Sequence, residues 1–362
     1  MADRGKIQIY ACRSAQDYAD QVINELHNLN DDTKQYENLK GILDVKSFAN
    51  GEIEVDIGES VRKKDVYLFQ NCAQRNKGDL SVGENKHELY QAIDALKRAQ
   101  ANTLTIFEPY CTSARSDRAT RRTSVGIWVH FKIMIQLGMD HYITLQLHSD
   151  KSKTIMDPTS AYIDDMPAAS LMKKYLLRNF VKTKQEFDTN VRENWAFCTV
   201  DVGGEKLAYQ FAETFNCGLI VANKRRNVSK VNFVESIDIL SNEPIQGKTI
   251  WVVDDMIDTG GSVVKLLDEL KQKGVKEINV AVIHPELSGS AVDKLQKLME
   301  DSILNNLVCL DTIFISDEIK KRLPRLHVIP SAHFAADLIY RINVGYSITK
   351  FFSPIRPYDY LN

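Results

Sequence analysis

Short apolar runs alternate with helical stripes along almost the whole chain. Runs at 6–12, 65–71, 103–110, 141–148, 196–201, 218–224, 249–254, 277–284 and 307–315 read as strands. Between them lie helical patterns at about 86–100, 125–137, 168–180, 204–215, 263–273, 290–300 and 331–342. A further helix follows Ser14 and Asp17, which resemble a cap ahead of the stripe Tyr18, Val22, Ile23, Leu26. In the stretch after 262, Val263, Leu266, Leu267 and Leu270 recur at i, i+3, i+4 and i+7. Strand and helix in regular alternation predict an α/β architecture with mostly parallel sheets. The polar stretch 149–167 carries Pro158 and Pro167, lacks a clear period, and reads as a linker or functional flap between two α/β units. The tail Ser353-Pro-Ile-Arg-Pro357 reads as irregular.

At 362 residues the chain has length for two ordinary domains. Hydrophobic residues make up 44% and charged residues 26%, as in soluble globular proteins. A net charge of −2 gives no reason to expect nucleic acid or a membrane surface as partner. No apolar run is long enough to cross a bilayer, and no secretory segment precedes the first strand. The six cysteines, at 12, 72, 111, 198, 217 and 309, form no Cys-x-x-Cys pair and read as reduced, mostly buried thiols of a cytoplasmic protein without a zinc site.

Chemistry concentrates at a few strand ends. In Val252-Val-Asp-Asp-Met-Ile-Asp-Thr-Gly-Gly-Ser262 an apolar strand ends on Asp254 and Asp255, and then come Asp258, Thr259, Gly260, Gly261 and Ser262 at the mouth of a helix. Glycines admit close approach of a ligand, and the free N–H groups of a helix start attract anions. A carboxylate pair beside such a cradle suits a sugar bearing a phosphate and a vicinal diol, held directly or through a divalent cation. Thr199-Val-Asp-Val-Gly-Gly204 repeats the logic, with Asp201 either a cation ligand or a helix cap. Lys224 and Arg226, on a loop after the strand 218–222, are either solvated or positioned to stabilise phosphoryl oxygens. His148, at the end of its strand, is either structural or a metal ligand. Phe48, Asn50 and Glu52 form either a turn or a face for a nucleobase. Ala114-Arg-Ser-Asp-Arg118, within a basic loop, offers Arg115 and Asp117 as a solvated loop or a polyphosphate clamp.

In order along the chain, Phe48-Ala-Asn-Gly-Glu-Ile-Glu-Val55, Glu59-Ser-Val-Arg-Lys-Lys-Asp-Val-Tyr67, Asp140-His-Tyr-Ile-Thr-Leu-Gln-Leu-His148, Val200-Asp-Val-Gly-Gly204, Asn223-Lys-Arg-Arg226, the 252–262 run and His284-Pro-Glu-Leu-Ser-Gly289 resemble the ribose-phosphate diphosphokinase (phosphoribosyl pyrophosphate, PRPP, synthetase) family over about 6–352. The resemblance implies two tandem phosphoribosyltransferase-type domains, each a mostly parallel sheet flanked by helices. Residues 1–160 would form the ATP-side domain and 161–330 the ribose 5-phosphate domain, with 331–362 packing back on the first. It implies Mg²⁺-dependent transfer of the β,γ-diphosphoryl group of ATP to ribose 5-phosphate. Asp258 to Ser262 would hold the 5-phosphate and Asp254 and Asp255 the ribose diol. Lys224 and Arg226 would be the catalytic cations, and His148 and Asp201 the metal ligands. Phe48, Asn50, Glu52, Arg115, Asp117 and His148 would face ATP. The adenine contacts would come from a neighbouring subunit, implying a dimer-based homo-oligomer, up to a hexamer.

The chain departs from the family pattern at Gln146, where the family has Asp, at Ser116, in the segment 118–126, and in the lengthened flap Ser149–Met156. These departures frame an alternative, a catalytically weak or inactive regulatory paralogue associated with an active synthetase. A third reading, a phosphoribosyltransferase that consumes PRPP, is opposed by the two-domain length and the adenine-side motifs.

Overall fold

The computed structural model describes residues 4–29, 38–74, 79–119, 122–226, 234–241 and 243–361. The chain divides into two compact units, Met1–Pro167 with Ser331–Phe352, and Ala168–Pro330 with Ser353–Asn362.

In the first unit the elements run β1 (Lys6–Ala11), α1 (Gln16–Leu29), β2 (Leu43–Ser47), β3 (Ile53–Ile57), β4 (Lys64–Phe69), α2 (Val82–Arg98), β5 (Thr103–Glu108), α3 (Gly126–Gln136), β6 (His141–Leu145) and β7 (Tyr162–Met166). Strands β1-β4-β5-β6-β7 form one sheet in that order, every pair parallel. β4, β5 and β6 are buried almost throughout, as parallel strands covered on both faces must be. Their apolar side chains meet those of α2 and α3, as where Phe131 packs edge-on against Tyr142 at 4.9 Å. α2 opens on a capping box in which Ser81 and Glu84 satisfy each other's backbone N–H groups. β2 and β3 stand apart as an antiparallel hairpin.

Two local expectations fail here. Ser14 does not cap α1. It lies in a 3₁₀ turn, Arg13–Ala15, and its hydroxyl bonds the Asn85 side chain instead. The stretch 149–167 is no loose linker: a 3₁₀ turn, Asp150–Ile155, leads into β7, the edge strand of the sheet. Its two acids, Asp164 and Asp165, broke the hydrophobic signal, and an edge strand tolerates them.

The second unit runs α4 (Ala169–Phe180), the single turns α5 (Lys184–Glu186) and α6 (Arg192–Asn194), β8 (Trp195–Thr199), α7 (Glu205–Phe215), β9 (Gly218–Arg226), β10 (Val234–Ser241), β11 (Thr249–Ile257), α8 (Gly261–Gln272), β12 (Glu277–Pro285), α9 (Ala291–Glu300), β13 (Asn306–Leu310), α10 (Asp317–Arg322) and β14 (Leu326–Ile329). The sheet order is β10-β9-β8-β11-β12-β13-β14, with only β10 antiparallel. The 263–270 stripe buries Val263, Leu266, Leu267 and Leu270 against Val252, Val280 and Leu295. From β8 the chain moves to β9 on one side, and β11 then lies on the other. The β8/β11 boundary is therefore a topological switch point, where the connections diverge and leave a crevice at the strand carboxyl ends.

The segment beyond 330 divides rather than packing as one block. α11 (Ala332–Val344) belongs to the first unit: Tyr18 and Ser331 share a 2.8 Å hydroxyl hydrogen bond, and Asn343 Nδ2 donates to Gly5 O and Asp65 Oδ2. From Ser353 the chain joins the second unit, where Tyr358 donates to Asp188 at 2.6 Å.

Candidate functional site

β11 pairs with β8 only as far as Val253↔Thr199, but with β12 as far as Ile257↔Pro285. Its last residues therefore lose their neighbour on the β8 side, at the switch point, and Asp254 and Asp255 emerge there half-buried. The strand reaches three residues further than the hydropathy run suggested. The turn beyond it is fixed from the other side: Ile257 O accepts from Leu287 N (3.0 Å), Asp258 O from Ser288 N (3.1 Å) and Thr259 O from Lys294 Nζ (2.8 Å). Gly260 then takes φ +71° as the N-cap of α8, a conformation that costs a side-chain-bearing residue energy. No side chain caps the helix there, and a Cβ built on Gly261 would meet nothing within 4 Å. Bare first-turn amides beside open space form an anion cradle. Thr259 is exposed, and Asp258 and Ser262 are half-buried along its rim.

Three acids gather at this mouth. Asp201 lies two residues beyond β8, and its Oδ1 accepts from Gly203 N at 3.0 Å, tightening the turn into α7. Gly204, the residue before α7, comes close enough that a Cβ there would sit 3.9 Å from Asp254 Oδ1. The Asp254 carboxyl is held well above the usual carboxylate range, first by burial and then by the negative charges of Asp255 and Asp201. Such a cluster favours a cation. Among the described residues no group of three or more His, Cys, Asp or Glu is arranged to hold a metal by itself.

Lys224 and Arg226 lie within β9, not on a loop after it: the strand runs on to Arg226 and pairs with β10 in the register Lys224↔Ile237 and Arg226↔Val234. They occupy the end of β9, and residues 227–233 beyond it lie outside the described residues.

In the first unit, Phe48-Ala-Asn-Gly-Glu52 is the tip of the β2–β3 hairpin. Phe48 N donates to Glu52 O, Asn50 Nδ2 to Glu52 Oε2 (2.8 Å), and Gly51 takes φ +90°. Phe48 is left 49% exposed, a ring with no core to join. Arg115 is exposed and Asp117 half-buried on the turn after β5; of the basic segment 118–126, residues 120 and 121 lie outside the described residues. His148 is not on a strand. β6 ends at Leu145, Gln146 turns left-handed (φ 59°), and His148 is exposed on the loop beyond. That loop is pinned by Asp165, which the motif reading missed. Asp165 accepts from Leu147 N (2.8 Å) and Lys153 Nζ (2.8 Å), and its side chain is 8% exposed. The available signal was an acid at the apolar end of a strand.

The pattern of the N-terminal domain of ribose phosphate pyrophosphokinase matches residues 7–138, and that of a phosphoribosyl transferase domain matches 179–314. Ribose-phosphate pyrophosphokinase 1 of Streptococcus pneumoniae is 32% identical over 300 residues, 83% of this chain and 85% of the relative. The chain belongs to the ribose-phosphate pyrophosphokinase family. The Burkholderia pseudomallei enzyme is 33% identical over 85% of this chain and 89% of its own length. The solved phosphoribosylpyrophosphate synthetase of Mycobacterium smegmatis superposes with a TM-score of 0.78 at 25% identity, covering 94% of this chain and 99% of that one. These similarities place the ATP-dependent diphosphotransferases of the family beside this chain over nearly its full length. Nothing in them supports a regulatory, non-catalytic paralogue. No helix among the described residues is long and apolar enough to cross a membrane.

Proposed function

We propose that the β8/β11 crevice binds ribose 5-phosphate and that the chain transfers the β,γ-diphosphoryl group of ATP to its anomeric hydroxyl, giving PRPP and AMP. The observation that carries this is the pairing of a bare, glycine-opened helix start with the half-buried acid trio at one switch point. A phosphate seats on the amides at Gly260–Ser262, and the ribose hydroxyls donate to Asp254 and Asp255. The O1 oxygen then lies beside the crevice and attacks the β-phosphorus in line. The new O–P bond forms as the bond to the α-phosphate oxygen breaks, AMP departs with the electron pair, and the hydroxyl proton passes to solvent.

Such a reaction needs positioning and charge neutralisation more than covalent chemistry. Mg²⁺, when bound, would neutralise phosphate oxygens; Asp201 of the second unit is one candidate ligand for it, and His148 of the first unit another. Lys224 and Arg226, carried on the β9–β10 arm, supply positive charge to the transferring group. Phe48, with Asn50 and Glu52, faces the adenine of a neighbouring copy, while Arg115 and Asp117 attend its phosphates. An exposed ring at the tip of a hairpin is what a shared site of a homo-oligomer requires.

The test is AMP formation from ATP with and without ribose 5-phosphate. The proposal expects strict dependence on the sugar, with a Lys224→Ala turnover loss of at least about 100-fold and a much smaller change in ATP affinity. Turnover unchanged by that substitution removes Lys224 from the reaction.

A further inference from the structure

The loop that joins β12 to α9 contributes no group to the acid trio, yet it lies directly against the turn 257–260. His284 is buried near the end of β12, where its Nδ1 and the Thr312 hydroxyl share a 2.9 Å hydrogen bond, so the loop leaves from a fixed base. It then bends through two left-handed residues, Leu287 (φ 50°) and Gly289 (φ 60°). For a leucine that backbone is costly, and it persists only where the surroundings hold it. In that conformation Leu287 N donates to Ile257 O and Ser288 N to Asp258 O. Lys294, one turn into α9, completes the row: its Nζ donates to Thr259 O at 2.8 Å. Ala291, three residues before it, packs beneath Gly260, where an added Cβ would lie 3.7 Å from Ala291 Cα. Among the described residues the Lys294 ammonium has no carboxylate partner, and the Thr259 carbonyl is its one acceptor.

Three successive carbonyls thus face the β12–α9 side. A trans peptide is planar, and its C=O and N–H point in opposite directions. The amides of Asp258, Thr259 and Gly260 are thereby turned away from α9, and those of Thr259 and Gly260 donate to no acceptor among the described residues. Successive amides aimed one way form an anion-binding nest, here continuous with the bare first turn of α8. We propose that Lys294 is a positioning residue for the sugar phosphate: through the Thr259 carbonyl it orients and polarises the 259–260 peptide, so that the Gly260 N–H meets the 5-phosphate as a fixed and strengthened donor. This rests on the reading of the crevice as a ribose 5-phosphate site. A charged donor on a carbonyl strengthens the N–H at the other end of the same peptide. The ammonium sits on the carbonyl side, so it acts through the peptide and not as a ligand of the phosphate. The 5-phosphate keeps its charge and its bonds while O1 reacts. Holding it therefore stabilises ground state and transition state alike, which moves KM and leaves kcat in place.

The experiment compares the full-length parent with Lys294→Met, Lys294→Gln and Lys294→Arg. Initial rates are measured with ribose 5-phosphate and ATP varied in turn, ribose 5-phosphate is titrated calorimetrically without ATP, and each chain is melted. Lys294→Met loses the charge and the donor. It should raise both the KM and the dissociation constant for ribose 5-phosphate about tenfold, with kcat and the KM for ATP within about twofold of the parent. Lys294→Arg keeps a cationic donor and should recover most of that loss. Lys294→Gln keeps a donor without charge and should fall between them; a Gln chain equal to the parent overturns the part given to the charge. An unchanged KM for ribose 5-phosphate in Lys294→Met overturns the proposal. So does an equal rise in both KM values with a lower melting temperature, which would mark a merely structural lysine. A parent that shows no calorimetric binding of ribose 5-phosphate overturns the reading of the crevice, and this role with it; binding by the parent that Lys294→Met leaves unchanged overturns the role of Lys294 alone.

Discussion

Gly260 and Gly261 are adjacent and answer to different constraints. Gly260 is left-handed (φ +71°), and its added Cβ would meet Ala291 at an ordinary 3.7 Å. Gly260→Ala should therefore cost about 1–2 kcal/mol from the backbone conformation and not from a clash. Gly261 sits in open space at the first helical position, so Gly261→Ala should leave stability unchanged or raise it by about 0.5–1 kcal/mol. The Gly261 methyl group enters the open space of the cradle, and that variant should raise the KM for ribose 5-phosphate. Thermal melts beside initial rates separate the two effects; a Gly261→Ala chain with unaltered KM removes the phosphate from this helix start. Asp254 carries the opposite trade. Burial and its two acidic neighbours already disfavour its charge. Asp254→Asn should melt at or above the parent in the absence of ligand while losing most turnover, as strained functional groups do. A lower melting temperature would show that Asp254 stabilises the fold, against the electrostatic account.

At the scale of elements, what the sequence made legible follows from burial. Helices with one apolar stripe, and strands buried on both faces, declare themselves by period and by length: 168–180, 204–215, 249–254 and 277–284 are examples. The strands that escaped are edge or hairpin strands. β2 and β3 are half-exposed along their length, β7 carries two acids, and β14 is only four residues long. Hydropathy runs on through Leu147 and so suggests a strand up to His148, whereas the left-handed turn at Gln146 leaves no trace in an apolar count. At Lys224 and Arg226 polar residues end the apolar run and so suggest a loop, yet β10 pairs with them. The acid–glycine motif was legible because its residues are consecutive; Asp165 was not, because its partners Leu147 and Lys153 are assembled by the sheet. Asp165→Asn should weaken that latch. Lys153 is partly exposed, so the stability loss should stay below about 1 kcal/mol. Released backbone at Leu147 should raise the KM for ATP several-fold and leave that for ribose 5-phosphate unchanged. Equal changes in both would make the latch merely structural.

For the whole molecule, two units of one architecture carry different equipment. The second holds the acid trio and the glycine-opened helix, and the first holds the exposed hairpin ring and the His148 loop. If the adenine face of a neighbouring copy completes each site, Phe48→Ala and Lys224→Ala chains, each nearly inactive alone, should recover part of the activity when mixed and allowed to exchange subunits. Light scattering should give a mass that is a multiple of the single chain. A monomer, or mixed chains that recover nothing, would confine the site to one copy. The most direct measurement of the central claim follows the phosphorus atoms themselves. Phosphorus-31 NMR of the chain with ATP, Mg²⁺ and ribose 5-phosphate should show the β and γ resonances leaving ATP together and reappearing as a diphosphate ester on the sugar, with AMP in equal amount. ADP or orthophosphate as the primary product, or AMP formed without the sugar, would contradict it.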